Sequence, residues 1–202
     1  MRVAVILILA AGTAGSSRGA TDALRARAEE IRSALPPRGA EVTPEARRRV
    51  ELLISRTVDL PGMLEASLGP RWKTMTVKQR KSLESAFVRR FRRTSSGVLE
   101  PYRSTRITYL AEVEGGSGVV RVPTRVVVDD EAIEVTYALR QDRGEWRIVD
   151  IVADGVSTVE NYRASFARVI AKEGVDGLIR RLERGITRED VTVGEENARV
   201  AP

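Results

Sequence analysis

Residues 145 to 182, EWRIVDIVADGVSTVENYRASFARVIAKEGVDGLIRRL, change their period midway, and that change limits what the chain can fold into. Trp146, Ile148, Asp150 and Val152 alternate with Arg147, Val149 and Ile151, the period of a strand. After a turn at Asp154-Gly155, Val159, Tyr162, Phe166, Val169 and Ile170 recur three and four residues apart, the period of an amphipathic helix. A second helical segment with Val175, Leu178, Ile179 and Leu182 follows a break at Gly174. A strand that feeds directly into a long helix lying back on its own sheet is the joint of an α+β domain.

Upstream of that joint the chain is first helical, then stranded. Thr21 to Leu35 is a run of good helix formers stopped by Pro36-Pro37. Thr43-Pro44-Glu45 reads as the cap and first turn of a second helix, with Val50, Leu53 and Ile54 as its apolar stripe. A short helix carrying Met63, Leu64 and Leu68 ends at Gly69-Pro70. Thr76 and Gln79 form a capping box that opens a helix to about Leu99, with Leu83, Ala86, Phe87, Phe91 and Val98 on one face. Strands then follow. Ile107, Tyr109, Ala111 and Val113 alternate; Gly115 to Gly118 turns; Val120, Val122, Thr124, Val126 and Val128 alternate; Asp129-Asp130 turns; Ile133, Val135, Tyr137 and Leu139 alternate. With the strand at 145, this predicts a four-stranded antiparallel meander with one apolar and one wet face, helices first and a long helical segment last.

Composition narrows the chemistry. The 202 residues are 42% apolar, enough for one domain with a core. There is no Cys and no His, so Cys nucleophiles, Ser-His-Asp triads and thiolate or imidazole metal sites are excluded. A lipidated N-terminal Cys is excluded too, which predicts an untethered chain. Met1-Arg2 and the nine-residue apolar run VAVILILAA, followed by small residues to Ser17, predict a signal peptide over 1–17. The run is too short for a spanning helix, which needs roughly 20 apolar residues. Residues 18–42 then form a helix and linker, 43–188 the main domain and 189–202 a flexible tail.

Net charge is +6, and 30 of 34 basic residues are Arg. The densest basic run, Arg89-Arg90-Phe91-Arg92-Arg93, reads as a solvated helix face around a buried Phe91, not as a nucleic-acid site. Gly115 to Gly118 lacks the Lys-Ser/Thr ending of a phosphate loop, and Asp129, Asp130 and Glu131 lack the spacing of a calcium loop. Asp150 is the candidate base: a carboxylate pointing inward beside Trp146 and Ile148 could abstract a proton, as in ketosteroid isomerase chemistry. The competing reading is that Asp150 or Asp154 caps the turn or pairs with an Arg.

Trp146-Arg147-Ile148-Val149-Asp150-Ile151-Val152-Ala153-Asp154-Gly155-Val156-Ser157 resembles the WxVYDVxxEGVS signature of the MlaC, or toluene-tolerance, family. Asn161-Tyr162-Arg163, Phe166 and Lys172 to Ile179 continue it, the last similar to KxGxDGLI. Upstream, Leu68-Gly69-Pro70-Arg71-Trp72 with Thr74, Thr76, Gln79-Arg80 and Phe87 resembles LGxYWKxATPxQRxxFxxAF, with Met75 and Val77 in place of Ala and Pro. The resemblance covers about residues 42 to 188. It implies a curved antiparallel sheet like that of nuclear transport factor two, wrapped by helices, with phospholipid acyl chains between them. It further implies a periplasmic carrier, a monomer with no cofactor. Its partners would be an outer-membrane lipoprotein complex and an inner-membrane ABC transporter with an MCE domain, and contact with the membrane surface would be transient.

From alternation, the lipid-facing set is then Phe87, Phe91, Val98, Tyr109, Val122, Val126, Val135, Tyr137, Trp146, Ile148, Val156, Tyr162 and Phe166. Two other readings stand beside the carrier. One is an enzyme on the same cone-shaped sheet, using Asp150 or Asp154 with Tyr137. The other is an interaction module with a fully packed interior.

Overall fold

The structure, a computed structural model, describes residues 19–37, 39–96, 106–128 and 131–184. The expected signal peptide, Val98, the Asp129-Asp130 turn and the tail from 189 lie outside these residues.

Among the described residues, five helices precede the sheet: α1 Ala20–Ala34, α2 Pro44–Thr57, α3 Leu60–Leu68, α4 Pro70–Thr74 and α5 Val77–Ser96. Their starts follow local chemistry. Thr43 Oγ1 accepts from the Ala46 amide at 3.2 Å, with Pro44 in the first turn. The Asp59 carboxylate accepts from the Gly62 amide at 3.0 Å. Thr76 and Gln79 close the capping box in both directions, at 3.1 and 3.2 Å. Buried faces are Leu24, Ala28 and Ile31 on α1, Val50 and Ile54 on α2, and Leu83, Ala86, Phe87 and Phe91 on α5.

The four expected strands resolve into six in one antiparallel sheet: β1 Arg106–Tyr109, β2 Val113–Gly116, β3 Val119–Val128, β4 Glu131–Asp142, β5 Glu145–Ala153 and β6 Val156–Ser157. Their order is β1-β3-β4-β5-β6, with β2 also on β3. The first expected strand is split because of Pro123. The Pro123 carbonyl accepts from Leu110 N at 2.9 Å, so Pro123 turns its main-chain groups toward the β1–β2 edge. It has no N–H to return there, and the edge chain leaves the ladder over Leu110, Ala111 and Glu112. The sixth strand is the two-residue return after Asp154-Gly155, both in the left-handed region at φ 48° and 79°.

A register shift on β5 overturns the expected alternation of the opening stretch. Leu139 pairs with Ile148 but its neighbour Ala138 pairs with Asp150, so Val149 is an extra residue. Faces therefore exchange at Val149. Ile148 and then Ile151 point inward and are buried, while Asp150 and Val152 belong to the opposite face. Asp150 does not share a face with Ile148.

The chain returns over the sheet as α6, Thr158–Arg184, interrupted at Gly174 where φ is 69° and ψ −178°. The break forecast from the sequence lies at that glycine. The core is one cluster between sheet and helices: Val122 and Val126 of β3, Val135, Tyr137 and Leu139 of β4, Ile148 and Ile151 of β5, and Phe87, Phe91, Phe166 and Leu178 from the helices.

Candidate functional site

The helices meet over an aromatic cluster. Phe87 of α5 lies edge-on to Tyr162 and Phe166 of α6, with ring centroids 5.2 and 6.2 Å away. Tyr162 and Phe166 stack at 5.3 Å, and Phe91 stands 6.5 Å from Phe87. The spacing of Tyr162 and Phe166, four residues apart on a helix, is what lets both rings reach α5. Burial pushes the Tyr162 phenol above its ordinary range, with Arg90 opposing.

Across the core, the inner face of the sheet is aliphatic. Val122 and Val126 face Tyr137 and Ile133 across the ladder, and Thr124 faces Val135. Thr124 is the one aliphatic hydroxyl in that row, and it donates to the Val135 carbonyl at 2.7 Å, so it adds no unsatisfied polar atom. Phe87, Phe91, Val122, Val126, Val135, Tyr137, Ile148 and Phe166 are all buried in this single cluster, and Tyr109 and Tyr162 are packed against it half-buried.

Trp146, Val156 and Val98 complete the expected lipid-facing set. Trp146 is half-buried, packs against the same core cluster and also borders a recess of about 310 Å³ between α1 and the β4–β5 hairpin, with Ala23, Arg27 and Gln141. Val156 is 53% exposed at the β5–β6 corner. Val98 is outside the described residues.

Several apolar residues outside the expected lipid-facing set extend the same surface: Ile107, Ile133, Ala153, Val169 and Ile170, all half-buried against the core. Ile107 and Ile133 share the alternating faces of Tyr109 and Val135, and Ala153 joins them through cross-strand register. Ile107 pairs with Val126, Val126 with Ile133, and Val135 with Ala153. The apolar layer thus continues from a closed centre to a partly open margin.

The candidate acids are occupied with structure. Asp150 accepts from the Ile151 amide at 2.8 Å, the Ser157 hydroxyl at 2.6 Å and the Val159 amide at 3.1 Å. Ser157 Oγ in turn accepts from the Glu160 amide at 3.1 Å, and Thr158 Oγ1 donates to the Ile151 carbonyl at 2.8 Å. The bulge at Val149 is what turns the Asp150 carboxylate toward the first turn of α6, where negative charge is favoured. Asp154 closes the β4–β5 edge, its amide donating to Glu134 O at 2.9 Å and its carboxylate accepting from Glu134 N at 3.3 Å. Neither carboxylate adjoins Tyr137 in these contacts. Among the described residues no group of three Asp, Glu, His or Cys could hold a metal ion. No described helix is long and apolar enough to cross a membrane.

Known proteins share this fold. A phospholipid-binding protein from Ralstonia solanacearum, solved in complex with a phospholipid, superposes with a TM-score of 0.70 at 21% identity, over 88% of this chain and 99% of that one. The likeness establishes the fold. The binding protein MlaC of the Haemophilus influenzae intermembrane phospholipid transport system is 21% identical over 126 residues. That match spans 60% of this chain and 59% of the relative's length. The model of the MlaC protein family matches residues 29–184, most of the chain, and the protein belongs to the MlaC family.

Proposed function

We propose that this chain is a phospholipid-binding transport protein of the periplasm, exported by its first 17 residues and working as a monomer that catalyses no reaction. It holds acyl chains between the sheet and the α5–α6 layer. It passes lipid between an outer-membrane lipoprotein complex and an inner-membrane ABC transporter with an MCE domain, and so maintains outer-membrane lipid asymmetry.

The observation that carries this reading is the apolar layer that starts at buried Phe87, Phe166, Val126 and Val135 and reaches the surface through Ile107, Ile133, Val169 and Ile170. The energetics explain why such a layer suits a carrier. Two acyl chains hold about 30 methylenes, and at roughly 0.8 kcal/mol each their full exposure costs on the order of 25 kcal/mol. Any protein that moves a phospholipid through water must cover nearly all of that surface. The headgroup can remain in water at the margin, so the reading requires apolar lining and little headgroup selectivity. Use of both candidate acids, Asp150 and Asp154, in helix and strand contacts argues against the enzyme reading.

Native mass spectrometry of protein purified without detergent tests the proposal. The expected result is a chain carrying phospholipid mass, reduced in Val135→Trp, which fills the inner face. A compact chain that is empty in every preparation would overturn it.

A further inference from the structure

Between Glu65 and Glu84 the sequence has five cations and no carboxylate: Arg71, Lys73, Lys78, Arg80 and Lys81. They lie on α4 and the first turns of α5. α5 itself has seven cations and one carboxylate, a net +6 that equals the net charge of the whole chain. The chain has only four lysines, and three of them are here. Other arginines are engaged in ion pairs, as Arg27 is with Glu145, Arg163 with Glu160 and Arg181 with Glu173. Among the described residues these five have no ion-pair partner. Arg80 lies over the Trp72 ring at 5.8 Å, and its Nε is shielded without a hydrogen-bond partner.

Apolar groups stand among these charges. Trp72 is half-buried, and Val77, the first residue of α5, is 63% exposed. We propose that α4 and the first turns of α5 form a docking platform for an anionic phospholipid bilayer surface. The residue types favour a membrane over an acidic protein. Protein interfaces enrich Arg and deplete Lys, because the planar guanidinium fixes geometry. Lysine is a flexible point charge suited to a fluid layer of phosphates, and its stem can lie along apolar surface while the ammonium stays with the headgroups. Trp beside cations is the pairing found at the level of lipid headgroups. The site deepens the carrier reading and rests on it for its purpose, since a carrier must meet the bilayers or bilayer-embedded complexes it serves. None of its five cations belongs to the apolar interior, and only Trp72 packs against that core.

Flotation with vesicles of phosphatidylcholine alone, and of phosphatidylcholine mixed with phosphatidylglycerol, tests the platform at low and high salt. The expected result is binding only to the anionic vesicles, lost at high salt. Each cation near such a surface contributes roughly a five-fold factor, so K73Q/K78Q/K81Q should weaken binding on the order of 100-fold. The charge-matched R48Q/R121Q/R125Q, on α2 and the outer face of β3, should weaken it far less. In W146F, where Trp72 is the sole tryptophan, emission should shift to the blue on anionic vesicles. Equal binding to neutral vesicles, equal losses in the two triple variants, or an unmoved Trp72 emission would each overturn the platform. Native mass spectrometry reports cargo separately: a chain that holds lipid but ignores anionic vesicles loses this inference alone, and a chain that binds vesicles but is always empty loses the carrier reading alone.

Discussion

Replacing Asp150 separates a structural from a chemical role for the carboxylate that holds the first turn of α6. Its two oxygens accept three hydrogen bonds, two from the backbone amides of Ile151 and Val159 and one from the Ser157 hydroxyl. In Asp150→Ala all three are lost, two amides lose their acceptor, and the first turn of α6 loses a negative charge. A helix cap alone is worth about 1 kcal/mol. Hydrogen bonds to a charged group contribute roughly 1.5–3 kcal/mol each, but they are not additive, and the half-exposed site admits water to the orphaned amides. A loss of about 2–3 kcal/mol follows. Asp150→Asn keeps one carbonyl oxygen for the two amides and presents an NH₂ to Ser157, whose hydroxyl can rotate to accept. It should cost about 1 kcal/mol, mostly the lost interaction with the helix dipole.

Urea unfolding checks both values on protein of matched lipid content, because bound ligand adds its own stability. With an m-value of about 2 kcal/mol per molar, Asp150→Ala should lower the midpoint by roughly 1 M and Asp150→Asn by about half that. An Asp150→Ala midpoint within error of the parent, or an Asn variant less stable than the Ala variant, would refute the cap argument. Copurified lipid per folded chain should be the same in both variants. Its abolition in a folded, stable Asp150→Asn would show that the carboxylate acts on ligand instead.

Three further outcomes follow from the geometry. Gly174→Ala should destabilise by about 1–3 kcal/mol in thermal melts, because its φ of 69° with ψ near 180° is open to glycine alone, although an added Cβ would meet nothing within 4 Å. Phe87→Ala, which removes the ring shared by Tyr162, Phe166 and Phe91, should cost about 3–5 kcal/mol and also lower the copurified lipid. Tyr162 has its phenol raised by burial, so the unfolded chain ionises first; stability falls as pH rises through the ordinary tyrosine value of about 10, and Tyr162→Phe should flatten that alkaline slope in urea titrations.

Much of the architecture is legible because it is local. Thr43-Pro44 and the Thr76–Gln79 box announce their helices through neighbours three residues away, and those contacts form as read. The Val-rich alternation of β3 and β4 is legible for the same reason. What escapes a linear reading acts across strands. Pro123 breaks an edge strand that precedes it by more than ten residues, through a donor it lacks. The bulge at Val149 leaves no gap in a regular-looking Trp-Ile-Asp-Val alternation, and it moves Asp150 from candidate base to helix cap. In the candidate site, Phe87, Phe166, Val126 and Val135 follow from periodicity, as do Ile107 and Ile133 of the margin, whereas Ala153 reaches that face only because the bulge at Val149 exchanges the faces of β5.

The polar and apolar contacts of this fold are not spread evenly, and their division bears on the proposed carrier role. Directional bonds converge on β5. Arg147 donates to the carbonyls of Ser55 and Val58 at the end of α2, at 3.3 and 3.1 Å, and the Asp59 amide donates to the Ile148 carbonyl at 2.9 Å. Asp150 and the Ile151 carbonyl hold the start of α6. Hydrogen bonds of this kind fix position and register, because each has one good geometry. The remainder of the layer, from Val122 and Tyr137 to Phe87 and Phe166, is held by apolar burial, which is non-directional and follows the area covered, not the identity of the partner. An acyl methylene and a valine methyl are equivalent cover for Phe166 or Val126. With position held by these bonds, and by Arg92 on Ser55 and Arg163 on the Ala66 carbonyl between helices, the apolar layer can exchange side-chain cover for lipid cover without loss of register, as the proposed carrier role demands.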